Sequence, residues 1–215
     1  MEACLILGGG GHGRVVMETL TALGWGGRIL GIVEAPGVHP PPNPFDIPLL
    51  GDETVVAGFA PDRVRLVNGV GSTGDVTARR AVFQRWSQRG YRFATLVHPG
   101  ARVMAGVWLE EGVQIMAGAT VQVGTVVGVN SIVNTGAVVD HDGQLGAHVH
   151  VAPGAVLCGM VRVEEGAHVG PGATVIQGTR IGVNAVVGAG AVVIHPVPDG
   201  KRVAGVPARE LLDGT

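Results

Sequence analysis

Val133-Asn134-Thr135-Gly136-Ala137-Val138 and then Val139-Asp140-His141-Asp142-Gly143-Gln144 are two consecutive turns of one six-residue rule, and that rule decides the fold. Followed outward in both directions, it holds from residue 97 to residue 193. Stepping by six visits Val97, Val103, Leu109, Ile115, Val121, Val127, Val133, Val139, Leu145, Val151, Leu157, Val163, Val169, Val175, Ile181, Val187 and Val193, seventeen positions that are all aliphatic. Four residues after many of them stands a small side chain, as at Ala101, Ala119, Ala137, Ala155, Ala173 and Ala191. Three residues after most of them stands Gly or Asn, as at Gly106, Gly124, Asn130, Gly136 and Asn184. Both residue types accept a positive φ and therefore a tight bend.

A period of six matches neither the 3.6-residue helix nor the two-residue strand. It matches a parallel β-helix, in which short strands and corners repeat three to a coil. Each coil then takes eighteen residues, and the run amounts to roughly five coils, a prism about 25 Å tall at about 4.8 Å per stacked strand. Equivalent residues stack, so the aliphatic positions form internal ladders. A merely Gly/Val/Ala-rich segment would not hold this register over seventeen steps.

The composition is that of a folded chain. Its 215 residues suffice for one large domain or two modest ones, with 46% hydrophobic residues and a formal charge of −2. That balance gives no electrostatic case for a nucleic-acid partner or an anionic membrane. The 37 glycines are periodic in the second half, so they do not signal disorder. Cys4 and Cys158 lie in separate segments and read as reduced thiols of a cytoplasmic protein. The opening Met-Glu-Ala-Cys-Leu-Ile-Leu has neither the basic start nor the long apolar core of a signal peptide, and no apolar run is long enough for membrane insertion.

Ahead of the hexads, residues 1–96 read as alternating strands and helices, a small α/β domain with a parallel sheet, followed by the β-helix and a C-terminal tail over 97–215. Residues 3–7 form an apolar strand that stops at Gly8-Gly9-Gly10-Gly11-His12-Gly13, and Val15, Val16, Leu20 and Leu23 follow at helical spacing. A second strand covers 28–33 and ends at Glu34, and a Pro-rich loop runs over 35–48. Asp52 is placed to cap a short helix over about 53–59. A third strand at 64–68 leads to Gly69-Val70-Gly71-Ser72, a helix bearing Val76, Val82, Phe83 and Trp86 follows, and a last strand is expected over 91–97. Gly8, Gly10 and Gly13 match G-x-G-x-x-G, a loop whose bare N–H groups can approach a phosphate at a helix N-terminus. A nucleotide-linked ligand is the reading favoured for this half-size unit over a dinucleotide site, and a loop that only packs is the structural alternative. Glu34 would meet a ribose or base edge, or simply end its strand in solvent.

The glycine loop, the Gly-Val-Gly-Ser turn, His98-Pro99-Gly100-Ala101, the hexads containing 134–142 and the ending near Ala204-Gly205-Val206-Pro207-Ala208-Arg209 together resemble the bacterial sugar-nucleotide acetyltransferases of the PglD/NeuD type. The resemblance covers nearly the whole chain. It implies a Rossmann-like nucleotide-binding N-terminal domain, a left-handed β-helix, and a homotrimer holding acetyl-CoA in grooves between neighbouring prisms. It further implies transfer of acetyl to the amino group of a nucleotide-linked amino sugar, with no metal. Gly10, Gly11, His12, Gly13, Glu34, Gly71, Ser72 and Asn134 are then candidates for the sugar nucleotide. His150, nine residues after His141, takes a family position near the CoA thioester; Gly159 is a candidate for pantetheine, and Lys201, Arg202 and Arg209 for CoA phosphates. Asn134 also reads as a turn residue, His150 as a corner residue, and the three cations as a solvated tail. The chain departs from the family pattern at Glu34-Ala35-Pro36, where relatives often carry an acidic pair, and at Gly143, where many carry cysteine.

His141 and Asp142 are the expected catalytic pair. An imidazole titrating near pH 6.5 can accept a proton at neutral pH, and a carboxylate neighbour orients it and stabilises its charged form. Acetyl transfer to an amine needs such a base, because the amine sheds a proton as the tetrahedral intermediate forms. His148 and His168 are expected at the surface. Three other readings compete: sugar O-acetylation, a non-catalytic sugar-nucleotide sensor, and a metal-dependent β-helix hydratase. The last needs three converging ligands, whereas Asp140 and His141 should diverge around their strand and His148 and His150 lack a third partner.

Overall fold

The computed structural model describes residues 3–211; the end of the expected C-terminal tail, 212–215, lies outside the described residues. The chain begins with β1 (Ala3–Leu7), α1 (Gly11–Ala22), β2 (Ile29–Glu34), β3 (Leu49–Asp52), β4 (Val64–Asn68), α2 (Thr77–Ser87) and β5 (Arg92–Phe93). The five strands make one parallel sheet in the order β3-β2-β1-β4-β5. Alternation along β1 explains its two covers. Cys4 and Ile6 cluster with Val16, Met17 and Leu20 of α1, while Leu5 and Leu7 cluster with Phe83 and Trp86 of α2. Each helix thus buries one apolar stripe on an opposite side of the sheet.

From Leu96–Val97 onward the chain winds as a parallel β-helix of two-residue strands. Through the hexads partners are eighteen residues apart, as in Thr120↔Val138 and Ile132↔His150, which is the coil length the hexads require, and the last parallel pairing, Val186↔Arg202, spans sixteen. Three sheets result. The first carries Leu96–Val97, Gln114–Ile115, Ile132–Val133, His150–Val151, His168–Val169, Val186–Val187 and Arg202–Ala204, with Arg209–Glu210 added antiparallel at its end. The second runs from Arg102–Val103 through Val138–Val139 to Val192–Val193, and the third from Trp108–Leu109 through Gln144–Leu145 to Arg180–Ile181. The second residue of each strand points inward: from Ile115 to Val193 every six-step position is at most 3% exposed. Each such Val, Leu or Ile contributes about 1.5–3 kcal/mol by leaving water. Only the first coil is incompletely covered, with Val97, Val103 and Leu109 partly buried and Trp108 exposed.

The N-terminal half packs on the first sheet of the β-helix. Leu96, Met116 and Ile132 join the α1-side cluster with Cys4, Val16 and Leu20.

Several expected elements differ in detail. The single strand expected at 91–97 is two. The N–H of Ala94 still bonds to Leu66 in the N-terminal sheet, whereas that of Leu96 bonds to Val113 in the β-helix, so the chain changes sheets between them. Residues 49–52, short of side-chain alternation because Gly51 interrupts them, form the edge strand β3 that the sequence did not disclose. The helix expected near 53–59 is a 3-10 turn, Glu53–Gly58, capped by Asp52, whose carboxylate accepts from the N–H of Thr54 at 2.9 Å. Among the described residues no helix is long and apolar enough to cross a membrane.

Candidate active site

A cleft of about 1080 Å³ opens between the N-terminal half and the upper coils of the first sheet. Its near wall is the turn after β1 (Gly8, Gly10, Gly11, His12), Glu34 at the end of β2, and the turn after β4 (Gly69, Val70, Gly71, Ser72). Its far wall is Asn134, His150 and His168 with the corners at Ala152-Pro153 and Gly170-Pro171, and Arg202 stands on the last coil. This is the end of the sheet at which strand order reverses between β1 and β4, where open α/β sheets bind ligands outside the carboxyl ends of their strands.

Gly10 and Gly11 leave open space beside the start of α1, with no atom within 4 Å of where a Cβ would stand. Gly13 has a different task. A Cβ there would lie 2.2 Å from the carbonyl oxygen of Gly8, so this glycine lets the helix pack against the loop and is not among the cleft walls. Glu34 is nearly buried and accepts from the N–H of Gly9 at 2.5 Å, which pins its carboxylate at the cleft. His12 donates from Nε2 to Oε1 of Gln114 at 2.8 Å; burial, with the positive charge of Arg79 adding to it, pulls its pKa down to about 4.

Ser72, Asn134 and His150 meet. The Ser72 Oγ lies 2.6 Å from Nδ1 of His150, and Nδ2 of Asn134 lies 3.1 Å from its Nε2. The amide can only donate, so Nε2 is the acceptor and Nδ1–H donates to the serine. Burial first, and the neighbouring His168, His12 and Arg79 after it, drive the His150 pKa down to about 2, so the ring is neutral. The family resemblance implies a place for His150 near the CoA thioester and for the other two residues at the sugar nucleotide; in one chain all three form a single cluster.

His168 sits one coil above His150, edge-on to it with ring centroids 5.0 Å apart. Its Nδ1 is buried without a partner, and burial lowers its pKa. His148 is buried against Phe83 and accepts at Nδ1 from Nδ2 of Asn130 at 2.9 Å, its pKa lowered by burial to about 4. Both rings were expected at the surface. At 5% and 6% exposed they are not: His148, at the corner before the His150–Val151 strand, is covered by Phe83 of α2, and His168 packs against His150 at the back of the cleft.

The His141–Asp142 pair occupies another edge of the prism, the corner between the second and third sheets, and neither residue lines the large cleft. Nδ1 of His141 is 2.9 Å from Oδ2 of Asp142, so Nδ1–H donates and Nε2 keeps its lone pair. The hydrogen bond to Asp142, with the charge of Asp140 behind it, raises the imidazole pKa above 6.5. Asp142 fills a corner slot where most other hexads place Gly or Asn, with φ +58°, and its carboxylate meets the preceding ring. Two glycines clear the space. A Cβ on Gly159, one coil above, would stand 2.4 Å from Nε2 of His141, and one on Gly124, one coil below, would stand 2.3 Å from Oδ1 of Asp142. Gly159, expected to offer its backbone to pantetheine, also leaves the space that the imidazole fills.

At the C-terminal end Lys201 pairs with Glu210 at 2.5 Å and Arg209 donates to the carbonyl of Ala208, both outside the cleft walls. Of the three cations considered for CoA phosphates, Arg202 is the one that reaches the cleft. Among the described residues no group of three or more His, Cys, Asp or Glu is placed to hold a metal ion.

An exposed imidazole oriented by a carboxylate, with its Nε2 lone pair free, can serve as a general base. No family model and no curated protein matches the chain. Solved structures do. The acetyltransferase domain of PglB from Neisseria gonorrhoeae is 35% identical, with 98% of this chain and 100% of that one aligned and a TM-score of 0.89. A histidine-to-alanine variant of GDP-perosamine N-acetyltransferase from Caulobacter crescentus, in complex with CoA and GDP-perosamine, is 37% identical over 99% of this chain and 98% of that one, TM-score 0.90. WeeI from Acinetobacter baumannii, at 22% identity and TM-score 0.86, shares the fold. The chain belongs to the sugar-nucleotide N-acetyltransferases of the hexapeptide-repeat, left-handed β-helix family.

Proposed function

We propose that residues 1–96 are a Rossmann-like domain that holds a nucleotide-linked amino sugar, and that residues 97–215 are the domain that acetylates it from acetyl-CoA. The nucleotide lies along the open glycines Gly10 and Gly11 at the start of α1, near Glu34, and its sugar reaches Ser72, Asn134 and His150. The neutral amine attacks the thioester carbon. As the C–N bond forms, its proton passes to Nε2 of His141, held ready by Asp142; the C–S bond then breaks and the sulfur leaves with that proton as the thiol of CoA.

One observation carries the reading: the base is on a different edge of the prism from the cleft. Between the two edges lies the second sheet, whose outward residues beyond the exposed Arg102 of its first strand, namely Thr120, Val138, Val156, Thr174 and Val192, are uncharged and half-buried. The third sheet instead presents Trp108, Gln144, Arg162 and Arg180. Burying the uncharged face around a threefold axis brings the His141 edge of one chain against the cleft of the next. The working enzyme is then a cytoplasmic homotrimer with three shared sites.

The test has two parts. Purified protein is incubated with acetyl-CoA and a panel of nucleotide-linked amino sugars and their hydroxyl counterparts, with thiol release as the readout. Turnover of an amino sugar alone is expected; turnover of hydroxyl sugars alone would make it an O-acetyltransferase. Then His141→Ala, expected to lose more than 90% of kcat, is refolded together with Gly11→Asp, which sets a carboxylate in the open space meant for phosphate. Mixed trimers should regain activity that neither variant has, and a mixture as inactive as its components would refute the shared site.

A further inference from the structure

A buried polar network runs beneath the cleft, and it carries an unneutralised positive charge. Gln114 accepts from His12 and donates to the carbonyl of Asn68 at 2.9 Å. Asn68 donates from Nδ2 to the carbonyl of Arg79 and to Oδ1 of Asn130, both at 3.0 Å, and Asn130 in turn meets His148. The network therefore ties the glycine loop, the turn after β4 and two coils of the β-helix together.

Arg79, on α2, is its cation. The guanidinium donates to three main-chain carbonyls, those of Asn68 at 2.9 Å, Val70 at 2.8 Å and Asn130 at 3.0 Å. The side chain is 1% exposed, Nη2 is buried with no partner, and none of its partners among the described residues is a carboxylate. Burial lowers its pKa only to about 9, so the group stays charged at neutral pH. A buried ion without a counter-ion is costly, and folded chains seldom keep one that nothing compensates. Gly69 and Val70, in the turn that Arg79 clamps, are walls of the cleft. The cleft itself is poor in cations: Arg202 is its one Arg or Lys, and the chain's single lysine, Lys201, is engaged by Glu210.

We infer that Arg79 is a positioning residue for the anionic part of the ligand, fixing the 68–70 turn and lending from below the positive charge that a nucleoside diphosphate neutralises. This rests on the nucleotide-binding reading of the cleft. Such a role differs from plain scaffolding in one respect, because it favours the diphosphate and is indifferent to the uncharged nucleoside.

Calorimetric titration of UDP, GDP, uridine and guanosine into the wild-type protein, Arg79→Gln and Arg79→Lys tests it. For the diphosphate that wild type binds, Arg79→Gln should weaken affinity about tenfold or more, while Arg79→Lys, which keeps the charge, stays within about threefold. Affinity for the matching nucleoside should be the same in all three. Equal weakening of diphosphate and nucleoside would leave Arg79 a scaffold and overturn the inference, even with the nucleotide site intact. Wild-type protein that binds neither diphosphate would refute the nucleotide-binding reading and this inference with it. If Arg79→Gln does not fold, [15N]arginine-labelled wild-type protein decides: the Arg79 Nε–H resonance, assigned by its loss in Arg79→Lys, should move with the diphosphate and not with the nucleoside, and a resonance that ignores the diphosphate refutes the inference.

Discussion

Replacing Gly159 by alanine adds one methyl group, and the expected result is an enzyme that folds normally and barely works. The new Cβ would stand 2.4 Å from Nε2 of His141, 2.6 Å from Cε1 and 3.0 Å from Cδ2. Ordinary contact begins at 3.4 Å, so the ring must retreat by about 1 Å. It can do so cheaply, because the His141 side chain is 44% exposed within its own chain and swings outward, away from the prism core. The backbone at 159 is not in the left-handed region, so alanine is tolerated there. Stability should therefore change by no more than about 0.5 kcal/mol, with the stiffer unfolded chain offsetting any loss. Activity should not survive so well: a displacement of about 1 Å at a reacting group costs about a hundredfold, or about 2.7 kcal/mol of transition-state stabilisation. Thermal unfolding by circular dichroism and thiol release with the best amino sugar measure the two halves. An alanine variant with unchanged Tm and kcat/KM within threefold of wild type would refute the claim that Gly159 exists to seat the imidazole. A collapse of Tm would refute the claim that the seat is separate from the fold.

Asp142→Asn should shift the pH profile as well as the rate. His141 acts unprotonated and its pKa is raised chiefly by Asp142, so wild-type kcat/KM should fall off on the acid side at a pH above 6.5. Without the carboxylate the midpoint moves down toward 6.5 while the plateau drops, and a midpoint that stays or rises contradicts the pairing. The buried histidines predict acid sensitivity of the fold. His12, His148 and His150 take up a proton in the folded chain only near pH 4, 4 and 2, but near 6.5 when unfolded. Stability is then complete above pH 6.5 and lost as the pH falls below it, each ring costing up to about 2 kcal/mol at pH 5. Urea midpoints that agree at pH 7.5 and pH 5 would contradict this.

The β-helix was legible because its signal repeats: a ladder such as Ile115, Val133, Val151, Val169 and Val187 states its register again in every coil. The His141–Asp142 pair stood out for the same reason, as polar residues in slots that otherwise hold small or apolar ones. What the hexads could not disclose is which outward side is covered. His148 and His168 look like solvent-facing rungs until Phe83 is laid over the one and His150 packs against the other, and His150 looks like a corner residue until Ser72 arrives from 78 positions away in sequence. Arg79 was invisible for a related reason. In a helix with Arg80 and Arg85 nearby it reads as one more solvated cation, and only the packing of α2 shows that its partners are three carbonyls. Gly13 matched a phosphate-loop pattern and turned out to serve close packing. A one-dimensional motif does not distinguish a glycine that leaves room for a ligand from one that leaves room for its own chain.

Because each coil repeats the last, the far wall of the cleft is built in equal storeys, with Asn134, Ala152, Gly170 and Gly188 directly above one another. Within the hexads its reach changes in whole steps of about 4.8 Å, by gain or loss of eighteen residues at a time. A shorter step occurs at the end of the prism, where Arg202 follows Val186 after sixteen residues; inside the hexads it would turn the ladders out of phase and point valines at water. Within a storey the single freedom left to selection is the outward side chain, so relatives built on this plan should tune the length of what they accept by counting coils and its chemistry by exchanging rungs.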